Sequence, residues 1–181
     1  MSNPQFPDPF GVREPLRPGA AASKSGLDVE GRVAALEQAL GSYRTNTPTC
    51  RVTNSGTQAT TSGADKTCLF DSEAFDVGGI HSTSSNTDRL TAPVPGVYRI
   101  FAFVEFPASA TGDRIAAILL SGTTAIAGDS RRATSAGVTR CTTETDYKMA
   151  ADDWVRLVIN QTSGGALNAT AIFGMTLVAT G

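Results

Sequence analysis

An all-β fold, a two-sheet sandwich or jelly roll of about ten strands, is what this sequence predicts, on three observations. From Thr49 onward, short runs of β-favouring residues recur at regular intervals, punctuated by Gly, Asn, Asp and Ser. No helix-length periodic segment interrupts those runs. Composition agrees: only 18 % of the 181 residues are charged, and Thr, Ser, Ala and Gly are plentiful, which suits short strands and tight turns.

Three segments follow one another. Residues 1–26 carry five of the nine prolines (Pro4, Pro7, Pro9, Pro15, Pro18) and close on "GAAASKSG". Such a stretch builds no core and is extended. Two readings are open, a free tail and an arm that docks on a partner. The arm is the expectation, with Phe6, Phe10 and Leu16 as its anchors.

Residues 27–41, "LDVEGRVAALEQALG", form the one amphipathic helix. Asp28 can cap its start and Gly41 can end it. Val29, Val33, Leu36 and Leu40 recur at spacings of four, three and four, a heptad seam. Two heptads are marginal alone in water. The expectation is therefore a short coiled-coil neck between chains that something else gathers. Packing on its own domain is the plainer alternative.

Residues 49–181 form the head. Its expected strands are Arg51–Asn54, Thr67–Phe70, Ala74–Val77, Arg89–Ala92, Val97–Phe106, Arg114–Ser121, Thr124–Gly128, Thr139–Met149, Trp154–Asn160 and Ala171–Val178. One of them, "PGVYRIFAFVEF", is apolar on both faces. Tyr98, Ile100, Ala102, Val104 and Phe106 alternate with Val97, Arg99, Phe101, Phe103 and Glu105. The last run behaves likewise, with Phe173, Met175 and Leu177 opposite Ile172, Thr176 and Val178. One face of a sandwich strand fills the core and the other normally meets water. With no helices to cover the second face, another copy of the same domain is the simplest supplier. Tyr98, Ile100, Phe101, Phe103, Val104, Phe106, Phe173, Met175 and Leu177 are the expected core and subunit-interface set.

Read as an ordered set, "AFDVGGIHSTSSNTDRLTAPVPGVYRIFAFVEF", "GDRIAAILLSG", "YKMAADDWVRLVIN" and "AIFGMTLVAT" resemble the C1q/TNF-type jelly roll over roughly residues 66–180. The family's signature ends in glycine, any residue, tyrosine, any residue and phenylalanine. Here Gly96, Val97, Tyr98, Arg99 and Ile100 stand in those places, and Leu90 stands for the phenylalanine that precedes them. The resemblance implies a ten-stranded sandwich that assembles as a homotrimer, with the strand after "PGVY" and the last strand lining the three-fold axis. No Gly-X-Y repeat is present, so a collagen stalk is not implied. The start, "MSNPQFPDPF", has neither the basic opening nor the apolar stretch of a signal peptide. An arm, a neck and a C1q-like head without an export signal resemble bacteriophage virion proteins, made in the host cytoplasm and released by lysis. The implied role is structural, with the tail tip as the expected position and the capsid surface as the alternative. Recognition of a host-surface glycan or protein is a further reading.

Chemistry finds little support in the residues. The net charge is −2, without the basic excess that neutralises phosphates, so nucleic acid is not an expected partner. No apolar run approaches the roughly 20 residues of a membrane span, so no membrane insertion is expected. Cys50, Cys68 and Cys141 are far apart and form no CxxC pair, which points to buried free thiols. His81 is the only histidine, too few for a metal cluster, and no GxSxG elbow accompanies it. Three carboxylate pairs, Asp71 with Glu73, Glu144 with Asp146 and Asp152 with Asp153, sit in turns or strand edges where solvated charge is the default. Arg131 and Arg132 read as a small basic patch on a loop. The expectation is a non-enzymatic protein without a cofactor.

Overall fold

A computed structural model of the chain describes residues 29–45 and 47–180. The arm, with Phe6, Phe10 and Leu16, and the proposed cap Asp28 lie outside the described residues. In chain order the elements are α1 (Val29–Thr45), β1 (Thr49–Thr53), β2 (Gln58–Thr60), β3 (Lys66–Thr67), β4 (Ser72–Val77), β5 (Leu90–Thr91), β6 (Gly96–Phe106), β7 (Asp113–Leu120), β8 (Thr124–Arg132), β9 (Thr139–Met149), β10 (Trp154–Gln161) and β11 (Leu167–Thr180).

The helix α1 does not stop at Gly41 but runs through it to Thr45. A lone interior glycine costs about 1 kcal/mol relative to alanine, which shortens no helix by itself. No proline follows until Pro48. Its four seam residues are all exposed, from 47 % at Val33 to 74 % at Val29.

Two antiparallel sheets make the head. The first has the order β4-β1-β11-β6-β9, with β2 added along β11. The second has the order β3-β10-β7-β8, with β5 also on β10. The chain crosses repeatedly between the two, and its first and last strands, β1 and β11, are neighbours in the first sheet. That is the wiring of a jelly roll.

Alternation decides which face of each strand meets the other sheet. From β6, Tyr98, Ile100, Ala102, Val104 and Phe106 are wholly buried; from β11, Phe173, Met175 and Leu177 join them. Ala116 and Ile118 of β7 and Val155, Leu157 and Ile159 of β10 close the core from the second sheet. The rings of Phe70 and Phe173 stack with centroids 5.8 Å apart. Fully burying a side chain of this size contributes about 1.5–3 kcal/mol. The Tyr98 hydroxyl keeps its partner, donating to the Val94 carbonyl at 2.8 Å, and so ties the start of β6 to the "APVPG" turn before it.

Nine of the ten expected strands form; the tenth, expected over Thr67–Phe70, is cut to Lys66–Thr67, and an unexpected strand, β2, appears. "QAT" carries no apolar periodicity. Its Gln58 and Thr60 are nevertheless buried: the Gln58 amide donates to the Leu69 carbonyl at 2.6 Å and accepts from the Leu69 N–H at 3.3 Å, and the Thr60 hydroxyl donates to the Leu167 carbonyl at 2.9 Å. Strand β8 also runs past Gly128, so Arg131 and Arg132 belong to a strand rather than a loop. Arg131 pairs with Asp129 at 2.9 Å and Arg132 with Asp113 at 3.0 Å, which uses up the expected basic patch. One turn admits only glycine. Gly112 has φ +78°, and a Cβ there would collide with the Thr162 carbonyl.

Candidate assembly interface

The first sheet's outward face is built by the residues that alternate with the core set. Register sets them in rows across the strands. Arg51, Gly174, Phe101 and Glu144 make one row; Thr53, Ile172, Phe103 and Thr142 make the next. Thr49, Thr176, Arg99 and Asp146 make a third, in which the two threonine hydroxyls lie 2.7 Å apart. Val97, Phe101, Phe103 and Ile172 are half-buried, and Val178 and Phe75 are 43 % and 46 % exposed. Among the described residues, the centre of this face is therefore apolar and only half-buried.

Ion pairs flank it. Arg99 donates from Nε and Nη2 to the two carboxylate oxygens of Asp146, at 3.0 and 3.1 Å. That fork holds the Asp146 carboxyl below the usual carboxylate range and raises Arg99. Arg140 lies 2.8 Å from Glu105. Pairs this exposed add little to the stability of a single chain, since water and salt screen them.

The nine residues expected at the core and interface divide between two faces. Tyr98, Ile100, Val104, Phe106, Phe173, Met175 and Leu177 point inward and fill the sandwich. Phe101 and Phe103 point outward. Sequence reasoning left out Phe75, because β4 is too short and too mixed for its alternation to show. It also passed over Gly174, whose part is visible only in register, opposite Phe101.

Four of the six candidate carboxylates, Asp71, Glu73, Asp146 and Asp153, have hydrogen-bond partners. Asp71 accepts from the Ser55 N–H at 2.7 Å and the Ser55 hydroxyl at 2.6 Å, which hold its carboxyl below the usual range. Glu73 lies 2.8 Å from His81 Nδ1, and Asp153 accepts from the Ala150 N–H at 2.7 Å. The three thiols are free and buried. Burial pushes Cys50 and Cys68 up to about 12 and Cys141 up to about 11, far above the range of a nucleophilic thiolate. These groups hold loops and fill space.

No family model matches the sequence, and no curated protein matches it. Solved structures do match its fold. The globular domain of zebrafish complement 1qA covers 74 % of this chain and 99 % of its own at 13 % identity, with a TM-score of 0.59. The head is a C1q/TNF-like jelly roll. A TNF of S. frugiperda, Eiger, covers 75 % and 95 % at 10 % identity, with a TM-score of 0.54. The PRD1 vertex protein P5 covers 73 % and 97 % at 16 % identity, with the same TM-score of 0.54. At these identities the likeness is one of fold, and the C1q/TNF-like head takes its surface chemistry from its own residues.

Proposed function

We propose that this chain is a non-enzymatic structural protein of a bacteriophage virion, a homotrimer. Residues 1–26 anchor it to other virion proteins, the helical seam forms a neck, and the jelly roll projects. The observation that carries the trimer is the apolar outward face of the six-stranded sheet, centred on Phe101, Phe103 and Ile172 and only half-buried among the described residues. Three copies pressed together on that face remove it from water. At about 25 cal/mol per Å², a few hundred Å² of apolar area per subunit contributes several kcal/mol. The exposed row Val29, Val33, Leu36 and Leu40 then finds its partners at high local concentration.

A minor tail or tail-tip fibre protein is the position we favour for this plan. A capsid position is the second reading, and the fold likeness to a vertex protein supports it. Recognition of a host-surface glycan or protein is compatible with either. The tests are direct. Sedimentation of the full chain is expected to give a trimer at micromolar concentration, and Phe101→Asp with Phe103→Asp is expected to give monomers. A single-copy wild-type species overturns the assembly. Deletion of residues 1–26 should leave a trimer that no longer enters particles; normal incorporation of the truncated chain overturns the anchor.

A further inference from the structure

A polar pocket of about 270 Å³ lies under the loop between β4 and β5. It is lined by His81, Ser82, Ser85, Asn86, Arg89 and Thr91, together with Gly79 and Ile80. Arg89 is the cation of this pocket and is held in an unusual way. Its guanidinium lies over the Trp154 ring, 4.0 Å from the centroid, so the indole fixes its plane. Its Nε is buried without a hydrogen-bond partner among the described residues. Asp88 forms a loose ion pair with that nitrogen at 3.7 Å, too long for a hydrogen bond.

Two other acids of this region already have partners. Asp76 accepts the N–H groups of Ile80 and His81, both at 3.0 Å, and Glu73 is paired with His81. The His81 side chain has no exposed surface, so it holds the loop rather than facing the opening. The lining thus brings together one arginine, its guanidinium stacked on Trp154, with hydroxyls and an amide. The volume falls just below the roughly 300–1,000 Å³ of pockets for drug-sized ligands, so it takes one ring.

We propose that this pocket binds a single acidic sugar residue, its carboxylate on the Arg89 guanidinium and its hydroxyls on Ser82, Ser85, Asn86 and Thr91. A planar guanidinium matches a carboxylate through two parallel hydrogen bonds, and stacking on Trp154 removes part of the ordering cost. The hydroxyls and the amide both donate and accept, as the ring hydroxyls require. The inference stands apart from the virion reading, since it needs only the folded head.

Trp154 is the only tryptophan in the chain and touches the anchoring cation, so its fluorescence reports occupancy. The full-length protein is titrated with sodium glucuronate at constant ionic strength, beside glucose and sodium acetate. The expected result is a saturable change with a Kd on the order of 1 mM, with glucose and acetate each weaker by about tenfold or more. Arg89→Gln is expected to abolish the response and Arg131→Gln to leave it unchanged. Equal binding of glucose overturns the role of charge. Equal binding of acetate overturns the role of the ring, and a flat wild-type titration overturns the site. Should Arg89→Gln fail to fold, amide NMR of the wild type decides instead. Glucuronate must then shift Ser82 to Arg89 and the Trp154 indole N–H while leaving Thr142 to Asp146 in place, and absence of those shifts overturns the proposal.

Discussion

Phe101 lies directly over Gly174: the two are paired across β6 and β11, and a Cβ on Gly174 would collide with the edge of the Phe101 ring. The glycine thus makes room for the aromatic that forms the middle of the outward face. Gly174→Ala is expected to destabilise the protein by about 1–3 kcal/mol, the usual cost of overpacking. Urea unfolding measures it. Adding Phe101→Ala should recover only part of the loss, because the new methyl also meets the Cys50 carbonyl at 2.9 Å. A Gly174→Ala protein as stable and as oligomeric as the wild type would show that Phe101 is free to move.

The neck makes a separate prediction. Val33 and Leu36 are adjacent seam positions, both exposed in the chain. Val33→Asp with Leu36→Asp is expected to lower helical circular dichroism while sedimentation still reports a trimer. Two heptads are too short to hold chains together, so in the proposed trimer they would follow an assembly made by the heads. A fall to monomers would place the main interface in the helix.

The head was legible where alternation runs long. Strands β6, β9 and β11, each of 11 residues or more, show both faces in the sequence, and their core residues follow from period two alone. Short polar pieces were not legible. The three residues of β2 are held by the Gln58 side chain, a contact between positions 58 and 69 that no local pattern announces. Gly41 read as a stop because glycine commonly ends helices, but that preference holds only where the chain actually turns. The pocket around Arg89 was equally hidden, since Trp154 comes to it from a strand far along the sequence. Pairing of β5 with β10 within one sheet brings Trp154 beside Arg89.

Thiol chemistry gives a pH dependence with a definite sign. The folded head holds the protons of Cys50, Cys68 and Cys141 more tightly than an unfolded chain, whose thiols titrate near 9.0. Their contribution to stability is therefore fully present below about pH 9 and is lost as pH rises through 11 to 12. A thiol reagent at pH 8 should label none of the three in the native protein and all of them in urea. Labelling of the native protein would mean that the core opens.

Arg114 carries the last prediction. Its side chain is 0 % exposed, yet its Nε and Nη2 have no partner among the described residues. Nη1 donates to the carbonyls of Thr111 and Asp113 at 3.2 and 2.9 Å, and the guanidinium carbon sits 5.9 Å from the Phe106 ring centroid. Burial pushes its pKa down from the usual guanidinium range, the mark of a charge held against its hydration. A cation so poorly paired contributes through the volume of its stem more than through its charge. Arg114→Met, which keeps much of that volume and removes the charge, is expected to unfold at the wild-type urea midpoint or above it. Arg114→Ala leaves a cavity and should lose about 2–4 kcal/mol, as core truncations do. If Arg114→Met costs as much as Arg114→Ala, the two carbonyl contacts and the ring matter more than the enclosed stem, and the guanidinium is a fixed strut of that end of the head.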